Sequence, residues 1–358
     1  MTHICLAAGG TGGHMFPAAA LAAELSKQSV KLSLITDQRG THHTRAFPNI
    51  EASIVESAPM VGKGLGQRIG GFLKLVRGII YARRLLVKSA PDIVVGFGGH
   101  PSVPPLIAAW LLGIPTILHE QNAVMGQANR LASRFAKKIA LSFPDTVAQV
   151  KPERATFVGN PVRPEFYHIP KLTPSSQNFE LLAFGGSLGA GIIADLVPSA
   201  LATLSNEQRS RINLTIQLRP EDQGKAQATL SGLDLGKLDI QVFLNPMVDF
   251  LSKSHLVICR AGASTIAEIA LAGRPALMIP LALHRDSQQI RNAKYLVQAG
   301  GGKILMETET TCHTLAKEIS NLMGTPRLLK QMSDGAKAAS TPNAARDLAE
   351  MALALMKD

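Results

Sequence analysis

Two stretches decide the fold: His3-Ile4-Cys5-Leu6-Ala7-Ala8-Gly9-Gly10-Thr11-Gly12-Gly13 near the start, and Leu181-Leu182-Ala183-Phe184-Gly185-Gly186-Ser187-Leu188-Gly189 in mid-chain. Each is a short apolar run that breaks at glycines. Residues 16–25 then carry alanine and leucine at helical spacing, so the segment reads as strand, glycine turn, helix. Glycine at such a turn lets backbone amides approach a phosphate closely, and the helix N-terminus behind adds roughly half a positive charge. One such loop is as readily an ordinary tight turn; two matched loops favour phosphate binding.

Working outward, short β-rich runs recur at 31–36, 92–99 and 114–119, and again at 214–218, 240–243, 256–259 and 276–279, with helical stretches between them. Strands alternating with helices imply parallel sheets covered on both faces. The 358 residues exceed the ~250 to 300 at which a single core stops growing. Asn160-Pro161-Val162-Arg163-Pro164, continuing through Pro170 and Pro174 to Asn178, reads as an interdomain linker. The expectation is two Rossmann-like domains, 1–162 and 163–342, with parallel sheets facing an interdomain cleft where ligand binds beyond the strand ends.

Composition narrows the function. No apolar run reaches the ~18 to 20 residues needed to span a bilayer, and the start reads as a strand rather than a cleavable signal, which leads to the expectation of a cytoplasmic protein. Cys5, Cys259 and Cys312 are widely spaced and read as reduced, packed thiols. After Gly10 and Gly12, the third glycine of a dinucleotide fingerprint would fall on Met15. Asp37 ends the second strand where a ribose-binding acid would stand, so a nicotinamide enzyme is a weaker alternative. No Walker-type Gly-Lys-Ser/Thr sequence is present.

The net charge of +11 is uneven: residues 1–160 hold 17 basic and 8 acidic side chains, and residues 161–358 hold 20 and 18. Residues 57–91 contain no acid and seven bases, Lys63, Arg68, Lys74, Arg77, Arg83, Arg84 and Lys88. Among them Ile69, Phe72, Leu73, Val76, Ile79 and Ile80 share one helical face. Such a segment suits an anionic lipid surface, or else packs its apolar face on a core behind a solvated basic rim. Aromatics are only 4% of the chain and form no stacking platform, which argues against nucleic acid.

The most informative site is Cys259-Arg260-Ala261-Gly262-Ala263-Ser264-Thr265-Ile266-Ala267-Glu268, a strand that ends in small residues before a helix. Ser264 or Thr265 is expected to cap that helix and leave amides for a diphosphate. Glu268 is placed to accept hydrogen bonds from a ribose diol; alternatively, it is a first-turn acid complementing the helix dipole. His284-Arg285-Asp286-Ser287-Gln288-Gln289 follows a buried strand, and its glutamines suit sugar hydroxyls and an acetamido group.

With these pieces in order, the chain closely resembles the MurG family, the UDP-N-acetylglucosamine:undecaprenyl-pyrophosphoryl-MurNAc-pentapeptide N-acetylglucosaminyltransferases. The resemblance runs almost end to end. It rests on Gly9-Gly10-Thr11-Gly12-Gly13-His14, Gly98-Gly99 with Pro101-Ser102, His119-Glu120-Gln121-Asn122, Gly159-Asn160-Pro161-Val162-Arg163, Gly185-Gly186-Ser187-Leu188-Gly189, Arg260-Ala261-Gly262-Ala263 with Glu268, and Gln288-Gln289 with Asn292-Ala293. His100 departs from the family pattern, where tyrosine is common, and the loop before Gln288 is slightly longer.

The resemblance implies a GT-B fold with the UDP-sugar held mainly by the second domain and the lipid acceptor by the first, to which helix 343–358 returns. It implies donor-binding roles for Thr11, Gly12, Gly13, Asn122, Arg163 and Ser187, for the backbone of Leu244 at the uracil, and for Ala263, Ser264, Thr265, Ile266, Ala267 and Glu268, the last at the ribose. Gln288 and Gln289 would meet the GlcNAc hydroxyls. His14, His119 and Glu120 are the candidate bases, with His14 preferred because an imidazole suits proton transfer at neutral pH. Ile69, Phe72, Leu73, Val76, Arg77, Ile80 and Arg84 become membrane contacts at the cytoplasmic face of the inner membrane.

The implied reaction moves GlcNAc from UDP-GlcNAc to the 4-hydroxyl of MurNAc in undecaprenyl-pyrophosphoryl-MurNAc-pentapeptide, a step of peptidoglycan synthesis, with other cell-wall enzymes as further candidate partners. No cofactor is implied. With no Asp-x-Asp sequence, no metal is expected, and helix N-termini, Arg163 and loop amides would hold the departing diphosphate. Two alternatives stand beside it: a UDP-N-acetylglucosamine 2-epimerase, and a catalytically silent membrane scaffold for other cell-wall enzymes.

Overall fold

The computed structural model describes residues 2–55, 65–174, 177–186, 189–281 and 287–356. The chain forms two compact units, Met1–Pro164 with Thr341–Asp358, and Glu165–Ser340. In chain order the first contains β1 (Thr2–Ala7), α1 (Gly12–Leu25), β2 (Val30–Thr36), β3 (Glu51–Ile54), α2 (Leu65–Ser89), β4 (Ile93–Gly96), α3 (Val103–Leu111), β5 (Thr116–Glu120), α4 (Gln127–Ala132), β6 (Lys138–Leu141) and β7 (Ala155–Phe157). The second contains β8 (Phe179–Phe184), α5 (Gly191–Ala202), α6 (Asn206–Ser210), β9 (Ile212–Gln217), α7 (Pro220–Leu230), β10 (Lys237–Gln241), α8 (Met247–Lys253), β11 (Leu256–Cys259), α9 (Ala263–Ala272), β12 (Ala276–Met278), α10 (Gln288–Gln298), β13 (Gly302–Ile304), α11 (Cys312–Gly324) and α12 (Pro326–Ala338). Finally α13 (Ala344–Leu355) rejoins the first unit.

Both sheets are wholly parallel, as strand–helix alternation implies. Their strand orders are β3-β2-β1-β4-β5-β6-β7 and β10-β9-β8-β11-β12-β13. In β1 the side chains divide cleanly: Ile4 and Leu6 join Met15, Leu21 and Leu25 of α1, while Cys5 and Ala7 join Ala82, Leu86 and Leu106 on the opposite side. Covering on both faces explains the unbroken apolar run Ile4–Ala7. The connections run outward from β1 in one direction and from β4 in the other, so the order reverses between β1 and β4; in the second unit it reverses between β8 and β11. Loops leaving the carboxyl ends of strands at such a reversal form the crevice where open α/β sheets bind ligand.

The helix α13 buries Ala345, Leu348, Ala349, Ala352 and Leu355, and Leu348 joins Ile4 and Leu21 in one cluster. In the second unit the fully buried Arg274 has four backbone acceptors, the carbonyls of Leu251, Ala272, Ser252 and Pro170. Burial lowers its pKa to about 10, and the bond to Pro170 ties the proline-rich entry segment to the unit. That segment is not simply extended: Pro164–His168 form a 3₁₀ turn, and Phe166 within it is fully buried.

The α2 helix carries two apolar faces where one was expected. Leu75, Ile79, Ala82 and Leu86 turn toward the core, whereas Phe72, Leu73, Ile80 and Val87 are about half exposed, at 58%, 51%, 49% and 58%. At 100° per residue the two sets are centred only about 110° apart, so they occupy adjoining faces of the helix. Ile79 therefore belongs to the core rather than to the outward stripe. The Ile69 side chain and residues 57–64, Lys63 among them, lie outside the described residues. Replacing Leu348→Ala should destabilise the first unit by about 2 to 5 kcal/mol, read as a lowered denaturation midpoint, whereas Glu350→Ala on the outer face of the same helix should change stability by less than about 0.5 kcal/mol.

Candidate active site

At the first reversal, β1 runs out at Ala7 and α1 begins at Gly12, so Gly12 and Gly13 are the first two helical residues and Thr11 is the N-cap. Thr11 makes no side-chain cap hydrogen bond. Gly10 holds a φ of 87°, and Gly186 repeats it at 86° in the second unit, a left-handed conformation that costs residues with a Cβ. The Gly10 amide donates to Asp37 Oδ1 at 2.9 Å, the Gly40 amide donates to the same oxygen at 2.9 Å, and Arg39 Nε donates to Oδ2 at 3.2 Å. Asp37, the acid that kept a nicotinamide enzyme under consideration, thus closes the glycine loop from inside the protein.

Beside β4, strand β5 ends with His119-Glu120 and leads into Gln121-Asn122, and here the structure builds a buried polar clamp. Glu120 is buried, yet Oε1 accepts from the Asn122 amide at 2.8 Å and Asn122 Nδ2 at 3.3 Å, while Oε2 accepts from the Gly126 amide at 3.0 Å and Asn129 Nδ2 at 2.8 Å. Burial raises its pKa, and these donors oppose the rise. A carboxylate so surrounded fixes the 121–129 loop, and with it Asn122. His119 is fully buried, and burial lowers its pKa to about 4. Its Nε2 donates to the Gly159 carbonyl at 3.1 Å.

His14, in the first turn of α1, is only partly buried, and its Nδ1 lies 3.0 Å from Gln121 Oε1. His100 stands close by, its pKa lowered by burial and by the charges of Arg39 and His14. The Arg163 guanidinium sits over the Phe16 ring, 4.5 Å from its centroid, which sets it beside the first turns of α1. The first unit therefore gathers Thr11, Gly12, Gly13, His14, Asn122 and Arg163 on loops and turns around β1 and β5.

At the second reversal Gly185 and Gly186 leave β8, while Ser187 and Leu188 lie outside the described residues. Arg219, which sequence reasoning passed over, lies across this loop: its Nη2 is 3.0 Å from where a Cβ on Gly191 would stand. Its Nε donates to Asp222 Oδ2 at 2.6 Å. The signal for it was faint, a single arginine before Pro220 in an unremarkable helix start.

Across the reversal, α9 opens on Ala263 with Gly262 as its N-cap, which corrects the expectation that Ser264 or Thr265 caps it. The strand ends two residues earlier than a hydroxyl cap would need, so both hydroxyls sit inside the first turn. Ala263 and Ile266 are buried, whereas Ser264, Thr265, Ala267 and Glu268 are partly exposed. Ser264 and Glu268, four apart, share a face, and Glu268 stands beyond the first turn, where the dipole-complementing role does not reach. Arg260 turns away, its Nη1 donating to the Ile279 carbonyl at 3.0 Å and to Glu307 Oε2 at 2.6 Å.

Gln288 and Gln289 open α10. Gln289 Oε1 accepts from the Leu281 amide at 2.9 Å, and Asn292 Nδ2 donates to the Ala261 carbonyl at 3.2 Å, which joins α10 to the start of α9. Leu244 is buried just beyond β10. His284, Arg285 and Asp286 lie outside the described residues.

Sequence comparison agrees with this construction. The glycosyltransferase family 28 N-terminal domain matches residues 4–141, and the glycosyltransferase family 28 C-terminal domain matches residues 181–348. Fold and strand-end loops thus define a glycosyltransferase of family 28. The UDP-N-acetylglucosamine–N-acetylmuramyl-(pentapeptide) pyrophosphoryl-undecaprenol N-acetylglucosamine transferase of Rhizobium etli (strain CIAT 652) is 40% identical over 361 residues, spanning 98% of this chain and 95% of its own length. The enzyme of the same name from Rhodospirillum rubrum is 41% identical over 356 residues, spanning 98% and 91%. The crystal structure of Acinetobacter baumannii MurG superimposes with a TM-score of 0.79 at 29% identity, covering 99% of this chain and all of that one. The chain belongs to the MurG family of N-acetylglucosamine transferases. A UDP-GlcNAc 2-epimerase from Neisseria meningitidis reaches a TM-score of 0.71 at 16% identity, covering 99% and 100%, a likeness of fold alone.

The buried His119 makes acid stability a test of the clamp. The unfolded chain takes up a proton near the ordinary histidine pKa of 6.5, while the folded protein resists it down to about 4. Stability is therefore full above pH 6.5 and falls as pH drops toward 4, by up to about 3 kcal/mol. His119→Asn should flatten that limb of the stability curve measured by denaturant titration.

Proposed function

We propose that this chain transfers GlcNAc from UDP-GlcNAc to the 4-hydroxyl of MurNAc in undecaprenyl-pyrophosphoryl-MurNAc-pentapeptide, with inversion at the anomeric carbon. The observation that carries the reading is 40% identity to an N-acetylglucosamine transferase across 98% of the chain, which takes in both glycine loops. In this reaction the acceptor oxygen attacks C1 of the sugar from the face opposite UDP, the C1–O bond to the β-phosphate breaks, and UDP leaves with the electron pair. The acceptor proton must go to a base.

His14 is that base. It stands at the start of a helix beside the glycine loop, and it is the one of the three candidates that is not enclosed; His119 and Glu120 are buried and hold the loop that carries Asn122. In the second unit the amide-rich start of α9, with Ser264 and Thr265, receives the departing diphosphate; Thr11, Gly12, Gly13 and Arg163 in the first unit, and Ser187 in the second, are further donor-binding residues. Glu268 accepts from the ribose, the Leu244 backbone pairs with uracil, and Gln288 and Gln289 hold the sugar. Among the described residues no group of three or more His, Cys, Asp or Glu side chains is arranged to hold a metal ion.

The acceptor is a lipid, and the outward stripe of α2 suits its surface. Phe72, Leu73 and Ile80 are exposed between Arg77, Arg83 and Arg84, and Trp110 and Leu111 of the neighbouring α3 are exposed as well, at 54% and 55%. Apolar side chains ringed by arginine dock on an anionic leaflet, with about 1 kcal/mol from each nearby base. No helix among the described residues is long and apolar enough to cross a membrane. The attachment proposed is peripheral, at the cytoplasmic face of the inner membrane. The 2-epimerase reading has no use for such a surface.

The reaction is tested by transfer of radiolabelled GlcNAc to a short-chain lipid-linked MurNAc-pentapeptide, with and without a chelator. Chelator-resistant transfer is expected; formation of UDP and ManNAc from donor alone, without transfer, would replace this reading with the epimerase. His14→Ala should lower kcat by about 10² to 10⁴ and leave the affinity for UDP-GlcNAc nearly unchanged. Reversing Arg77, Arg83 and Arg84 to glutamate should release the protein from anionic vesicles in a flotation assay, and undiminished binding would remove the membrane role from α2.

A further inference from the structure

A chain of hydrogen bonds runs through the first unit from Gly159 to His14, and each link settles the next. A carbonyl oxygen only accepts, so His119 Nε2, 3.1 Å from the Gly159 carbonyl, carries a proton. Ser142 Oγ, 3.3 Å from the same nitrogen and 3.5 Å from the same carbonyl, fits that direction. Because burial keeps His119 neutral down to about pH 4, its Nδ1 is bare and needs a donor. The donor is Gln121 Nε2 at 2.9 Å, which also lies 3.2 Å from the His119 carbonyl. Two acceptors on one side of the amide fix which end of it points there. Gln121 Oε1 consequently faces His14 Nδ1 at 3.0 Å, and an amide oxygen only accepts.

We infer that Gln121 is a positioning residue that holds the His14 imidazole in its Nδ1–H form, so that Nε2 presents a lone pair to the acceptor hydroxyl. The inference rests on the reading of His14 as base, and it explains how a histidine that touches no carboxylate through Nδ1 is nonetheless set in the reactive tautomer. Gln121 is itself 1% exposed and has no room to swing. The far end of the chain is equally fixed: Gly159 has a φ of +86°, and a Cβ there would collide with the side chain of Thr341. Thr341 opens the segment that returns to this unit, so the returning chain braces the carbonyl from which the whole sequence of donors and acceptors is set.

The test uses the full-length protein labelled with ¹⁵N-histidine, with His14 and His119 assigned by His14→Gln and His119→Asn. The wild type should show His14 protonated at Nδ1 and His119 protonated at Nε2. His14 protonated at Nε2 in the wild type overturns the inference whatever His14 does in catalysis. Gln121→Leu should abolish the Nδ1 preference of His14 and lower kcat about 10- to 100-fold, with KM for UDP-GlcNAc within about twofold. Gln121→Glu retains an acceptor toward Nδ1 and should keep the tautomer if the leucine variant fails to fold. In a His14→Ala background Gln121→Leu should cost no further activity, because both act through one imidazole; an undiminished additional loss would mean that Gln121 serves the loop and not the base. Full activity in His14→Ala, with the tautomer as stated, would sink the assignment of the base and leave the hydrogen-bond chain standing.

Discussion

Parallel strands cannot be joined by tight hairpins, so each must be reached by a crossover, and every strand in a sheet then ends on the same side. That constraint decides where the chemistry of this protein can be. The glycine loop after β1 and the His119 to Asn122 segment after β5 are far apart in sequence, yet they meet because both follow parallel strands of one sheet. The same holds in the second unit for the loops after β8 and β11. Neither unit needs a specialised scaffold for its site; the loops at the order reversal are where the backbone is free to depart from the ladder.

The polar interior is held by main-chain groups more than by opposing charges. Glu120 is met by two backbone amides and two asparagine side chains, Arg274 by four carbonyls, Asp37 by two amides with one exposed arginine beside it. A buried charge without such partners is costly, and backbone dipoles supply them without long side chains to immobilise. The cost is a demand for accuracy, since a loop must bring several amides to one carboxylate at once. This accounts for the concentration of glycine, proline and asparagine around residues 98–129.

The overall fold was legible in the sequence because strand, glycine turn and helix announce themselves by periodicity and composition, and they did so twice. Strands β3, β6, β7 and β13 lie at or next to a sheet edge and carry a polar or charged residue that breaks the apolar run, unlike the equally short but wholly buried β4, β11 and β12, and strand order is a tertiary property that no local pattern encodes. At the start of α9 the hydroxyls of Ser264 and Thr265 suggested a cap, but the strand ends early enough for Gly262 to take the position. In α2 the apolar residues were read as one face because they span a single arc of about 120°, and only packing shows that the edge bearing Ile79 turns to the core while the edge bearing Ile80 stays exposed. For the site, residue types were readable from the motifs, but hydrogen-bond partners were not. Asp37 looked like a ligand-binding acid because strand-end acids often are, and nothing local disclosed that Gly10 and Gly40 already occupy it.

The return of α13 has a bearing on how the protein is made. Chains leave the ribosome from the N-terminus, and domains generally fold in that order. Here the first unit lacks Leu348, Ala349, Ala352 and Leu355 until α13 emerges, by which time the whole of the second unit has been synthesised. The segment made first is thus completed last, and its partly built core must wait through the synthesis of its neighbour with the α1 face uncovered. Removal of α13 accordingly injures a unit whose other elements all precede the second one.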